Sequence, residues 1–141
     1  MYLLDTNVVS ELRRPDKAHP SVVAWAAQVP TPQVFLSVIS ILEIEIGASR
    51  LARKDAVQGR VLRRWIDETV MPRFADRILP IDTRVAQRCA ALHGPDPRPE
   101  RDAFIAATAL VHGLIVVTRN TRDFEPLEVD VLNPWRLEGA P

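Results

Sequence analysis

Cysteine is almost missing from this chain: Cys89 stands alone, so no disulfide can form within it, and a reducing compartment is its natural setting. Long apolar runs are missing as well. None approaches the ~18 residues a membrane-spanning helix needs, and a strand expected from the first residues leaves no room for a signal peptide. A cytoplasmic location is therefore expected. His19, His93 and His112 are scattered, with no second ligand at zinc-finger spacing, which argues against a tetrahedral zinc site. Lysine is scarce. Only Lys17 and Lys54 occur among 18 basic residues, and the rest are arginine, which suits bidentate phosphate contacts but also follows from genomic base composition. No repeat or low-complexity tract interrupts the sequence, and its 12 prolines are dispersed apart from Pro95, Pro97 and Pro99. With 47% hydrophobic and 26% charged residues, the 141-residue chain reads as one globular domain over 1–141, with 133–141 as a C-terminal tail.

What is present is organised around its first stretch, MYLLDTNVVSEL. Tyr2, Leu3 and Leu4 form a short apolar run that stops at Asp5. Such a run suits a buried strand of a parallel sheet, with Thr6 or Asn7 capping a helix that starts near Val8. Asp5 is then at the carboxyl end of the strand, the edge where open α/β sheets bind ligands. By itself it reads equally well as a capping carboxylate.

The pattern repeats downstream. Pro20 and Ser21 start a short helix carrying Val22, Val23 and Trp25, and Pro30 and Pro32 end it. Val34 to Leu36 makes a second strand, followed by a helix over SVISILEIEIGASRL that runs toward Arg53. Glu43 and Glu45 both lie on it, about 200° apart, so only one can face the crevice. Asp55 to Val70 is amphipathic and reads as one surface helix. Ile78 to Ile81 is a third strand, and Asp82 and Thr83 cap a helix through Ala91. Phe104 to Val111 is apolar nearly all round and hence a buried helix, entered through Glu100, Arg101 and Asp102. Leu114 to Val117 is a fourth strand, Asp123 lies in the loop beyond it, and Val129 to Leu132 is a short last strand. The tail LEGAP is expected to fray. Trp25, Phe35, Trp65, Phe74 and Trp135 are either core or the lining of a groove or dimer face.

Strands alternating with helices imply an α/β fold with a mainly parallel sheet covered on both faces. Four acids then gather at one edge: Asp5, Glu43, Asp102 and Asp123. Each has a structural reading as cap, solvated residue or turn former. Together, carboxylates in contact repel, a divalent cation relieves that repulsion, and oxygen-only ligands select Mg²⁺ or Mn²⁺.

These residues resemble the PIN-domain ribonucleases, specifically the VapC and FitB-like toxins of bacterial toxin–antitoxin modules. The resemblance rests on LLDTNVVSEL at Leu3 to Leu12, SVISILEIEIG at Ser37 to Gly47, DAFIAATALVHGL at Asp102 to Leu114, VTRNTRDFE at Val117 to Glu125, and NPW at Asn133 to Trp135. It implies a three-layer α/β/α fold with four to five sheet strands. Its acidic, metal-holding and catalytic set falls on Asp5, Glu43, Asp102 and Asp123, with Glu43 preferred over Glu45 because the acid lies four residues before the glycine, here Gly47. Thr6, Asn7, Thr118 and Asn120 match the polar residues that support those acids. The resemblance further implies Mg²⁺- or Mn²⁺-dependent hydrolysis of RNA by a metal-activated water, a homodimer, and inhibition by a cognate antitoxin protein. Arg101 departs from the pattern, standing where relatives tend to be apolar, and is expected to change the rim of the site. On this reading Asp5→Asn abolishes cleavage and leaves the fold intact, since Asn can still cap the helix, or slightly more stable without metal, since fewer like charges share the crevice.

Other functions fit less well. A phosphorelay receiver needs a lysine late in the sheet, and both lysines come early. A haloacid-dehalogenase-type phosphatase needs Asp where Asn7 stands. A catalytically idle PIN-fold binding module and a related nuclease acting on DNA remain the alternatives.

Overall fold

Tyr2–Leu4 forms β1 at the centre of the sheet, and everything else is laid on either side of it. In this computed structural model, which describes residues 1–137, the next elements are α1 (Thr6–Glu11), α2 (Pro20–Gln28), β2 (Val34–Ser37) and α3 (Val38–Lys54). They are followed by α4 (Ala56–Trp65), a π turn over Ile66–Val70, α5 (Met71–Arg73) and β3 (Ile78–Leu79). The remaining elements are α6 (Thr83–Leu92), α7 (Glu100–His112), β4 (Ile115–Val117), α8 (Thr121–Phe124) and β5 (Val131–Leu132). The five strands are all parallel in the order β3-β2-β1-β4-β5. The chain thus winds outward from β1 through β2 and β3, then crosses back to β4 on the other side of β1. That reversal puts a topological switch point between β1 and β4, where a crevice opens at the carboxyl ends.

Side chains alternate along the strands, so each strand feeds two cores. Leu4, Leu36 and Val117 join Val8, Val22, Trp25, Ile66 and Phe74 on one face. Leu3 and Val116 join Ile105, Ala106, Ala109 and Phe124 on the other. The helix expected to be buried is α7, whose Ala103 and Ala107 also pack against Val85 and Cys89 of α6. It ends at Gly113, whose left-handed φ of 66° closes the last turn without a Cβ to clash. Among the described residues, no helix is long and apolar enough to cross a membrane.

Local chemistry explains where the elements differ from the sequence expectation. The first helix begins at Thr6 rather than Val8, because Asp5 itself is the cap and accepts from the Thr6 N–H at 2.8 Å. The amphipathic stretch after Asp55 is not one α-helix. Pro72 has no N–H to give and its ring would meet the carbonyl four residues back, and the helix loosens there, with the Met71 N–H bonding five residues back to Ile66. The third strand is two residues long and stops at Pro80, which cannot extend a ladder. Asp123 lies on the short helix α8 rather than in a loop. At the C-terminus, the Ser21 hydroxyl donates to the Pro134 carbonyl at 2.8 Å, and Trp135 and Leu137 pack against the first core. Residues 138–141 of the tail expected to fray lie outside the described residues.

Asp55 joins two helices: it ends α3, and its carboxylate accepts from Val57 and Gln58 N–H groups, both at 3.1 Å, to start α4. The two helices then approach closely at Gly59, where an added Cβ would stand 2.5 Å from the Ala52 Cα. Gly→Ala inside a helix ordinarily gains about 1 kcal/mol, but an overpacked contact loses typically ~1–3 kcal/mol. Because the obstacle is backbone, Gly59→Ala should lower stability. Thermal melting measures this, and a melting temperature equal to or above wild type would refute the close approach.

Candidate active site

Asp5 is only 6% exposed, at the end of the central strand. Its backbone N–H donates to Val117 of β4 at 2.9 Å, which locks it to the switch point. Its Oδ1 accepts from the Thr6 N–H, while its Oδ2 accepts from the Thr118 hydroxyl at 2.8 Å and the Asn7 amide at 3.2 Å. The capping and functional readings of Asp5 therefore do not compete, since one oxygen caps and the other faces the polar net.

That net reaches every other supporting residue. The Thr6 hydroxyl donates to Glu43 Oε1 at 2.8 Å, so Thr6 bridges two of the four acids. Asn7 also donates to the Thr118 oxygen at 3.3 Å and accepts from the Arg119 N–H at 3.3 Å. Asn120 takes part through its backbone, whose N–H donates to the Thr118 hydroxyl at 3.0 Å. The two glutamates on α3 part company as their spacing requires. Glu43 turns to Thr6, with Arg101 3.8 Å away, whereas Glu45 pairs with Arg63, which also holds Asp67 at 2.8 Å. The Arg63 guanidinium keeps the Glu45 carboxyl below its ordinary range.

Asp102 stands in the first turn of α7 and Asp123 on α8. Burial pushes the Asp102 carboxyl up to about 6, and the charges of Asp5, Asp123 and Glu43 push the same way. Burial also raises Asp5, helped by Glu43 and Asp123 and opposed by the Thr118 and Thr6 hydrogen bonds. Asp5 and Asp102 are thus each within electrostatic reach of Glu43 and Asp123. Among the described residues, no three Asp, Glu, His or Cys side chains are gathered as a set that could hold one ion. The physical reason is in the net itself, since repelling carboxylates take the nearest donors, Glu43 on Thr6 and Arg101 and Asp5 on its three partners. A divalent cation still fits the donor set, which is all oxygen and carries the repulsion such an ion relieves.

The net also changes the expectation for Asp5→Asn. An amide nitrogen at the Oδ2 position would face two groups that now donate, so this variant loses hydrogen bonds as well as charge. Asp102 is the cleaner position to neutralise. The aromatic residues divide. Trp25 and Phe74 are core, and Trp65 is partly buried beside them, lining a small apolar cleft between α2 and the π turn. Phe35 packs on the second core, and Trp135 lies under the Arg119 guanidinium, 5.4 Å from it. Sequence reasoning missed the arginines of this region, Arg119, Arg122 and Arg136, whose only signal was the general arginine excess.

Asp5 and Glu43, held by hydroxyl, amide and backbone donors, stand at the switch point of a parallel sheet, the edge where open α/β folds bind ligands. Residues 2–128 match the family model of the PIN domain, and the chain belongs to that family. It is 39% identical to the toxin FitB of Neisseria gonorrhoeae, over 96% of this chain and 99% of the relative. It is 36% identical to the VapC ribonuclease Y4jK of Sinorhizobium fredii, over 96% and 98%. By structure it is similar to FitAcB from Neisseria gonorrhoeae, with a TM-score of 0.87 over 97% of this chain and all of the other. It is also similar to a toxin–antitoxin complex from Klebsiella pneumoniae, with a TM-score of 0.69, 28% identity, and coverage of 97% of this chain and 100% of that one.

The raised Asp102 carboxyl sets a pH dependence. Folding favours its protonated form, so its contribution to stability is complete below about pH 3.8 and is lost as pH rises through about 6. In chelator, wild-type protein should lose melting temperature relative to Asp102→Asn across that window. A difference between the two proteins that stays constant with pH would remove the assignment.

Proposed function

We propose that this protein is a cytoplasmic metal-dependent endoribonuclease, the toxin of a toxin–antitoxin module, with Asp5, Glu43, Asp102 and Asp123 as its catalytic and metal-holding carboxylates. The observation that carries this reading is the hydrogen-bonded acidic cluster at the switch point, in which Thr6 joins Asp5 to Glu43. Similarity to a VapC ribonuclease and to the toxin FitB supports the substrate and the biological role.

The chain's own residues divide the work. Thr118, Asn7 and the Thr6 N–H hold Asp5 in one orientation. Thr6 turns Glu43 toward it, and α7 and α8 bring Asp102 and Asp123. When bound, Mg²⁺ or Mn²⁺ supplies positive charge at the phosphate and lowers the pKa of a water. Hydrolysis then forms a bond from the water oxygen to phosphorus, breaks the bond to the leaving oxygen, and transfers a proton to that oxygen. Arg101, half-exposed and 3.8 Å from Glu43, is the one guanidinium seen pairing with an acid of the cluster among the described residues.

A protein partner fits the same reading. Val57 and Val61, one turn apart on α4, and Leu42 on α3 are exposed apolar side chains. We assign them to the contact with an antitoxin, in line with the similarity to a toxin–antitoxin complex.

Purified protein should cleave RNA with Mg²⁺ or Mn²⁺ and not in chelator. Asp102→Asn should lower the rate by more than about 100-fold, beyond what loss of a supporting group costs, while still melting cooperatively. Wild-type rates in Asp102→Asn would exclude the acidic cluster as the site. Induced expression without the partner should arrest growth with RNA fragmentation, and normal growth with soluble protein and intact RNA would count against the toxin role.

A further inference from the structure

Beyond β4, successive residues point different ways. The Thr118 hydroxyl turns inward to Asp5, and the backbone N–H groups of Arg119 and Asn120 are tied to Asn7 and Thr118. The side chains of Arg119 and Asn120 instead line a cleft of about 380 Å³, together with Arg122, Asp123, Asn133 and Arg136. That volume lies in the range of sites that hold small ligands, roughly 300–1,000 Å³. Three guanidiniums face one carboxylate there. None of the three is in an ion pair among the described residues, where the paired arginines are Arg63, Arg77 and Arg101. Arg119 is also braced, since its guanidinium lies over the Trp135 ring, and the Trp135 N–H donates to the Asn133 side chain at 2.9 Å.

The cleft begins where the acidic cluster ends. Asp123 lines it and also acts electrostatically on Asp5 and Asp102. A polyanionic strand approaching four carboxylates meets repulsion, and the formal net charge of the whole chain, zero, offers no compensating field. Local cations beside the acids are what such a strand requires. Guanidinium forks flanked by Asn amides form a donor set for phosphate oxygens, which fixes register without reading bases.

We propose that the cleft formed by Arg119, Arg122 and Arg136 is a phosphate subsite for RNA, holding a backbone phosphate next to the one that is cleaved. This rests on the ribonuclease reading above. The subsite sets affinity and register, and the acids carry the chemistry. Its neighbours Thr118 and Asn7 couple the two, because the segment that carries Arg119 and Asn120 is hydrogen-bonded to the group that orients Asp5.

The test uses Arg122→Gln with Arg136→Gln, leaving Arg119 on Trp135. In the Asp102→Asn background, binding of a single-stranded RNA oligonucleotide is measured over a series of salt concentrations. The paired substitution should make the slope of log K against log salt shallower by about 1.4, from two contacts at about 0.7 each. In the active protein it should raise KM on the order of tenfold with kcat within about threefold. Arg122→Lys, which keeps the charge, should retain the slope and guards against a folding defect. An unchanged slope and KM in a protein that cleaves RNA overturn the subsite and leave the ribonuclease reading standing. A shallower slope in a protein whose wild type never cleaves RNA leaves the cleft as an RNA-phosphate contact but overturns the ribonuclease reading, and with it the placement beside a cleaved phosphate. A fall in kcat at constant KM, or weaker capture of a protein partner with RNA binding unchanged, overturns the subsite.

Discussion

The carboxylate of Asp5 is the fixed point of this protein. It is buried where two adjacent strands end, and its two oxygens accept three hydrogen bonds from residues at opposite ends of the chain. A buried carboxylate is tolerated only when its lone pairs are occupied. Thr6, Asn7 and Thr118 meet that condition and so also decide the geometry of everything around it. Through Thr6 the constraint extends to Glu43, and through Asn7 and Thr118 to the segment that carries Arg119 and Asn120.

Charge separation follows from the same frame. Five carboxylates lie near α3 or the crevice, and the fold sorts them by giving each a different neighbour. Glu45 is neutralised by Arg63 on the adjacent helix, so it takes no part in the crevice. Glu43 has only the more distant Arg101 and the Thr6 hydroxyl. Asp102 has no ion pair among the described residues and carries the repulsion of the other acids in its raised carboxyl. Beside these acids lies an arginine-lined cleft that Asp123 also lines.

The packing that supports this is asymmetric. One face of the sheet is closed mainly by α7, with Ile39 of α3 and Phe124 of α8 beside it, and the alanines of α7 pack against α6 behind it. The other is closed by α1, α2 and the α4 region, where Trp25, Phe74 and the Tyr2 ring fill the larger space, the Tyr2 and Trp25 rings meeting edge to face at 5.4 Å. The acidic edge draws on both layers, since α7 delivers Asp102 and α3 delivers Glu43.

Much of the fold was legible from sequence because its signals are local. Short apolar runs ending in Asp5, Ser37 and Thr118 mark strands entering buried positions, and Asp55 and Asp82 mark helix starts that the structure places one residue away. Element ends were less legible where proline intervened, as at Pro72 and Pro80, since the pattern of apolar residues continues through a break in hydrogen bonding. The gathering of acids at one edge follows from strand order, which alternation of elements implies. What tertiary structure alone decided was which atoms meet. Nothing in the spacing says that Thr6 bridges Asp5 to Glu43 or that Arg63 removes Glu45, because these depend on side chains far apart in sequence. The same holds for Arg119, Arg122 and Arg136. In the sequence they are three arginines among many, and only the packing of β5 beside β4, with Trp135 under Arg119, turns them toward one cleft.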